Sequence, residues 1–169
     1  MKLYVSNWMR FIPTNWILNA ATLGKIGYRG KMPGTNGSFV GLIYYTLFFH
    51  DLSFLGYLLL AIISTFLAID ICTIAEQILQ KKDPGCVILD EMVAIPFCFI
   101  GLQPFMVKYP TWIFMLVGFL LFRFFDILKP FGIRKLQDLP GGLGIVIDDI
   151  AAALASCVCM HITLFLCNL

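Results

Sequence analysis

Four stretches hold most of the side chains able to do chemistry: KMPGTNGS at 31–38, KDPGCVILDE at 82–91, FRFFDILKP at 122–130 and GGLGIVIDD at 141–149. They supply the carboxylates Asp83, Asp90, Glu91, Asp126, Asp148 and Asp149 and the cations Lys31, Lys82, Arg123 and Lys129. Clustered carboxylates are hard oxygen ligands of the kind Mg²⁺ takes. A guanidinium beside them can stabilise a transferring phosphoryl group, so metal-assisted hydrolysis of a phosphate is the chemistry this set permits. Other phosphate-cleaving arrangements drop out. No cysteine is followed six residues later by arginine, and no D-x-D pair occurs. The two histidines, His50 and His161, fall away from the acidic stretches.

The glycine-rich stretch from Gly30 to Ser38 offers backbone amides, the Thr35 and Ser38 hydroxyls and the Lys31 charge just before an apolar run. A helix starting there would turn its free amides toward an anion. The same composition also describes an ordinary turn, as does LPGGLG at 139–144. Asp126 is three residues from both Arg123 and Lys129, so pairing within one helix is an alternative role for that group.

Distant stretches can meet only if larger elements carry them, and the composition says of what kind. Hydrophobic residues make up 60% of the 169 and charged ones 13%, with 16 phenylalanines. That share of charge is about half the usual and leaves too little to cover a water-facing surface. One all-α polytopic membrane domain is therefore expected, a compact bundle of about four to five transmembrane or re-entrant helices; a greasy soluble helical dimer is the bland alternative. A net charge of +2 says little about partners by itself, and with no basic cluster dense enough to suggest nucleic acid, none is expected as a partner. The six cysteines sit mostly in apolar runs without metal-ligand spacing and read as small buried hydrophobes.

Residues 1–23 are not expected to act as a signal peptide, because Asn7, Arg10, Pro13, Thr14 and Asn15 interrupt the apolar stretch. Trp8, Phe11 and Trp16 suit an interfacial or amphipathic segment ahead of a membrane-embedded domain at 24–169. Apolar runs then follow at 38–49, 52–69, 92–107, 110–129 and 150–166. The first is short and is either a tilted span or a re-entrant element. Pro96 and Pro104 kink or end parts of the third. If the chain ahead of residue 36 faces the cytoplasm, alternate crossings put Lys25, Arg29, Lys31, Lys81, Lys82, Lys129, Arg134 and Lys135 on that side and only Lys108 opposite, as the positive-inside rule requires. The same alternation puts Asp70, Glu76, Asp83, Asp90, Glu91, Asp126, Asp148 and Asp149 in one shallow layer; only Asp51 and Asp138 fall outside it. Such a layer repels itself unless cations or a divalent ion offset it.

In their order and content the four motifs resemble the phosphatidylglycerophosphatase A family of small membrane enzymes, from about residue 24 to residue 160. The resemblance implies removal of the terminal phosphate of phosphatidylglycerophosphate with Mg²⁺, bilayer lipid as surroundings, and an active site on the cytoplasmic side of the bacterial inner membrane. It implicates Pro33, Gly34, Thr35, Gly37 and Ser38; Asp83, Asp90 and Glu91; Arg123, Asp126 and Lys129; and Asp148 and Asp149. Ala94 and Ala152 depart from it, standing where glycine is often found after the DE and DD pairs. On this reading Asp90, Glu91, Asp148 and Asp149 hold the metal or position water, with Asp70 and Glu76 as nearby candidates. Arg123 clamps the phosphoryl group; Lys31, Lys82 and the glycine-rich stretch bind phosphate. The number of metal ions, direct water attack or a covalent aspartyl intermediate, and homo-oligomer formation stay open. The functional alternative is a small membrane cation or phosphate transporter, which would place ionisable groups nearer mid-membrane or repeat half the chain.

Overall fold

The computed structural model describes residues 11–168, and no strand occurs among them. The chain runs through α1 (Thr14–Ala21), a 3-10 turn (Ile26–Tyr28), α2 (Pro33–Phe48), α3 (Phe54–Leu79) and α4 (Leu89–Ala94). A second 3-10 turn (Ile95–Phe99), α5 (Gln103–Lys108), α6 (Thr111–Leu128), α7 (Ile133–Leu136) and α8 (Gly142–Leu166) follow.

Local chemistry sets these limits. Pro33 opens α2, where its missing N–H costs nothing. Ser53 caps α3, its Oγ accepting from the Gly56 N–H at 3.3 Å. Gln80 and Lys129 end α3 and α6 in the left-handed conformation, and Pro130 prevents α6 from resuming. Three helices are long and apolar enough to cross a bilayer: α3, α6 and α8, with 26, 18 and 25 residues. At 1.5 Å per residue they reach roughly 39, 27 and 37 Å against a hydrocarbon core of about 30 Å. The expected helical bundle is present, with three of its elements of spanning length.

The third apolar run breaks at its prolines, as expected: Pro96 lies in the 3-10 turn and Pro104 at the start of α5, so 89–108 folds as three short pieces. Two other boundaries change. The second run does not close at Asp70. Helix α3 continues to Leu79, because ICTIAEQIL lacks any breaker and its buried Cys72, Thr73 and Ala75 give it a face to pack. The last helix begins at Gly142 rather than Ile150, so Asp148 and Asp149 sit in its second turn.

Helix α8 is the centre of the bundle, packing on α3, α4, the second 3-10 turn and α6. Small residues permit these approaches, which in lipid stand in for the hydrophobic drive available in water. A Cβ on Gly118 of α6 would lie 2.5 Å from the Phe99 ring. One on Gly142 would lie 2.1 Å from the Ile69 carbonyl oxygen of α3. Ala94 and Ala152 are fully buried, so their methyls fill space between helices. Helix α2 packs on α4 and the turn on either side of it through Gly34, Gly37 and Gly41, one stripe at helical spacing. At the other end an aromatic group of Tyr45, Phe49, Tyr57 and Phe99 joins α2, α3 and the 3-10 turn, with the Tyr45 and Phe99 centroids 4.5 Å apart. The Tyr45 hydroxyl donates to Met106 Sδ at 3.1 Å and the Tyr57 hydroxyl to the Pro96 carbonyl.

Helix α1 packs on α3 through Ile17 and Ala21, while Trp16 is exposed. The Ala21 carbonyl accepts from Ile88 N–H at 2.9 Å, tying α1 to the turn before α4. Trp8 of the expected interfacial segment lies outside the described residues. All six cysteines are free, and Cys72, Cys98 and Cys157 are buried.

Candidate active site

The four motifs converge at the end of the bundle away from the aromatic group. Two of them arrive at the starts of helices. The first turn of α4 presents Asp90 and Glu91, where acidic side chains complement the helix dipole. The second turn of α8 presents Asp148 and Asp149, held by Gly142 at the close approach to α3 and by Thr73 Oγ1 accepting from Gly142 N–H at 2.8 Å. Helix α6 brings Arg123 and Asp126 in its last turns and Lys129 at its cap. Helix α2 closes the near side with Pro33 and Gly34. Together they line a recess of about 380 Å³, with Asp83 at its edge.

Asp90, Glu91 and Asp149 each offer a carboxylate oxygen within 4.8 Å of the other two. Asp148, adjacent to Asp149 on the same helix, points about 100° away and pairs through Oδ2 with Lys129 Nζ. Lys129 also lies 3.7 Å from Asp126 Oδ1. Asp126 Oδ2 in turn accepts from Arg123 Nη1 at 2.6 Å, and the same nitrogen donates to Ser38 Oγ at 3.3 Å. Ser38 donates to the Gly34 carbonyl at 2.8 Å, so the chain of contacts closes on α2.

Among the described residues, the buried side-chain polar atoms without a hydrogen-bond partner are Asp90 Oδ1, Glu91 Oε2, Arg123 Nε, Asp148 Oδ1 and Asp149 Oδ2. All five belong to this recess. Buried polar groups are almost always paired, so such a concentration points to a bound group. The orphans are of two kinds, carboxylate oxygens that want a cation and a guanidinium N–H that wants an anion. Hard oxygens in this number fit a divalent cation. Burial pushes Asp90 well above the usual carboxylate range, reinforced by neighbouring Glu91 and Asp149. Glu91 is also raised, by burial first. Both lie on α4, outside the three long helices. Burial works against the Lys129 charge, but the hydrogen bond and charge of Asp148 together raise its pKa.

Other expected residues fall elsewhere. Lys31 is exposed and does not line the recess. Lys82 is exposed, 4.0 Å from Asp138, and lines a neighbouring depression with Gln137. Asp83 Oδ2 accepts from Gln137 Nε2 at 3.5 Å. Thr35 faces another groove, whereas Gly37 packs against Ile88 and Glu91. Asp70 and Glu76 do not line the recess; Glu76 Oε1 accepts from Asp83 N–H at 3.4 Å. Two working contacts were not foreseen, Ser38 with Arg123 and Thr73 with Gly142. The spacing Gly34, Gly37, Gly41 marks the face of α2 that meets α4, but nothing in the sequence signals the contact of Ser38 with Arg123 on α6.

A bundle with long apolar helices and an inward-facing recess of carboxylates, arginine and lysine at one end defines a polytopic membrane phosphatase. The phosphatidylglycerophosphatase A family model matches residues 19–164, and the chain belongs to that family of lipid phosphatases. It is 33% identical over 143 residues to a phosphatidylglycerophosphatase A of Haemophilus influenzae, covering 82% of this chain and 85% of that one. It is 31% identical over 147 residues to a phosphatidylglycerophosphatase A of Escherichia coli, covering 83% and 78%. A putative phosphatidylinositol-3-phosphatase of Bacteroides thetaiotaomicron is 30% identical over 135 residues, covering 77% and 82%. No solved structure matches. The transporter alternative gives way to an enzyme.

Proposed function

We propose that the protein hydrolyses the terminal phosphomonoester of phosphatidylglycerophosphate, releasing phosphate and phosphatidylglycerol, with Mg²⁺ as its ion. The observation that carries this reading is the set of five unpartnered buried atoms, which calls for a cation and an anion side by side. The names of the Haemophilus and Escherichia relatives favour this lipid over the phosphoinositide in the name of the Bacteroides relative.

Asp90, Glu91 and Asp149 would hold the ion. When bound, it polarises phosphoryl oxygens and lowers the pKa of a coordinated water. Arg123, with Nη1 occupied by Asp126 and Ser38, turns Nε to the phosphate and stabilises the charge that builds on its oxygens. Asp148, oriented by Lys129 through one oxygen, keeps the other free to position water and take its proton. Gly34, lacking a Cβ, lets Glu91 and Arg123 approach α2 closely, since a Cβ there would stand 2.4 Å from Glu91 Oε1 and 3.2 Å from Arg123 Nη1. The lipid's chains stay in the bilayer throughout.

The recess faces the cytoplasm at the bacterial inner membrane, on the side that carries the lysine- and arginine-rich connections. Exposed Phe11 and Trp16 suit contact of the segment at 11–23 with that interface, and the catalytic domain begins at residue 24.

The test is phosphate release from detergent-dispersed phosphatidylglycerophosphate by purified protein, with phosphatidylinositol 3-phosphate in parallel. Turnover should stop on chelation, return with Mg²⁺ and favour the first lipid. Absence of release with Mg²⁺ present, or preference for the phosphoinositide, overturns the assignment. Asp90→Asn should abolish turnover without preventing membrane insertion.

A further inference from the structure

A second groove lies between α2 and α6, outside the catalytic recess, and holds about 620 Å³. Its upper end carries Arg29, Thr35 and Asn36, and its lower part is walled by Phe39, Ile43 and Phe119. We propose that this groove seats the phosphodiester and the upper part of one acyl chain of the lipid substrate, with Arg29 facing the diester charge. The proposal rests on the phosphomonoesterase reading above and names where the rest of the molecule lies.

The two walls are the helices that build the recess. Phe119 stands four residues, about one turn, before Arg123 on α6, and therefore on the same face. On α2, Thr35 follows Gly34 and points about 100° around the helix. A lipid whose terminal phosphate meets Arg123 has its diester one glycerol away and its chains directed into the bilayer. The groove offers a cation and an apolar, lipid-facing wall in that order. Phe39 and Ile43 are exposed, at 59% and 48%, as acyl-chain contacts would be.

Charge complementarity favours an anionic occupant. Arg29 is exposed, and no described carboxylate lies within 4.0 Å of it. Its position is nevertheless defined, because Asn36 Nδ2 donates to the Arg29 carbonyl at 2.9 Å and ties the cation-bearing turn to the groove wall. The volume suits a diester and part of a chain. Two other depressions fit less well. The one at Lys82 and Gln137 pairs its lysine with Asp138 and has no lipid-facing wall of this kind. The one between α6 and α8 at Tyr109 and Leu164 is apolar and lies at the opposite end from the recess.

Phosphatidylglycerol has the diester and chains without the scissile phosphate, so it reports binding independently of turnover. Full-length protein in detergent is irradiated with phosphatidylglycerol carrying a diazirine in one acyl chain, and labelled peptides are mapped. Labelling should concentrate at Phe39, Ile43 and Phe119. Arg29→Gln should reduce it about tenfold, the order of one lost charge-assisted contact, and Arg29→Lys should restore most of it. Excess phosphatidylglycerol should compete better than zwitterionic phosphatidylcholine. Equal labelling of the lipid-facing residues Leu59, Ile63 and Phe66 of α3, or labelling insensitive to Arg29→Gln, overturns the proposal. With phosphatidylglycerophosphate, Arg29→Gln should lose kcat/KM mainly through a higher KM; a loss lying in kcat would place Arg29 in the chemistry instead. Failure of the phosphomonoesterase reading shows separately, as wild-type protein that labels in the groove but releases no phosphate.

Discussion

Gly34→Ala should cripple catalysis while leaving the bundle folded. A Cβ built at Gly34 lies 2.4 Å from Glu91 Oε1 and 3.2 Å from Arg123 Nη1, whereas ordinary contact begins near 3.4 Å. The deficit at Glu91 is about 1 Å. It falls on the far end of a flexible side chain, so Glu91 yields and the helices stay. Glu91 is one of three carboxylates converging within 4.8 Å, and an inward shift is blocked by Asp90 and Asp149. It must swing away from them. A misplacement of about 1 Å in a catalytic constellation costs on the order of 10²-fold in rate. Turnover of phosphatidylglycerophosphate at saturating Mg²⁺ should fall by about that factor, with Tm in detergent within a few degrees of wild type. The Mg²⁺ concentration for half-maximal rate should rise as well. Gly41→Ala is the control: its Cβ would meet Ile95 Cβ at 2.8 Å, far from the recess, so it should lower stability by about 1–3 kcal/mol through overpacking. If Gly34→Ala turns over within threefold of wild type while Tm confirms folding, Glu91 is not held where the chemistry needs it.

Arg123→Lys should lower kcat by about 10²–10³-fold, because the three donors of an ammonium radiate from one nitrogen and cannot span Asp126 and Ser38 on one side and phosphate on the other as the separate Nη1 and Nε of arginine do; an unchanged kcat assigns Arg123 to its ion pair alone. In chelator, the stability of the protein should fall as pH rises through the range above the ordinary carboxylate pKa. Asp90 and Glu91, with raised folded-state values, bind more protons folded than unfolded there. Adding Mg²⁺ should flatten that slope, and a Tm that climbs or holds level over the same range without metal refutes the buried-carboxylate assignment. Gly142→Ala should destabilise by about 3 kcal/mol or more, since its Cβ meets backbone on α3 that has nowhere to go; a denaturation midpoint near wild type argues against that close approach. Lys31→Ala and Lys82→Ala should each leave turnover within about twofold, the scale of ordinary surface changes, and a tenfold loss in either would return it to the phosphate site.

The sequence alone pointed to the class of protein and to most of the charged residues that line the recess, Asp83, Asp90, Glu91, Arg123, Asp126, Lys129, Asp148 and Asp149. Its hydrophobic share and long apolar runs pointed to lipid-embedded helices, and alternating crossings placed eight acidic residues at one face. It also announced the broken third run through Pro96 and Pro104. Tertiary structure decided how those residues are divided. Asp148 and Asp149 are chemically identical neighbours, yet one turns to Lys129 and the other to Asp90 and Glu91, because α8 begins at Gly142 and its rotation is set by contact with α3. Asp70 and Glu76 left the recess for the same kind of reason, since α3 continues past both to Leu79. Hydropathy reads where a segment meets water, but the direction a side chain takes around a helix depends on which neighbour its small residues admit, and that is a property of pairs of helices.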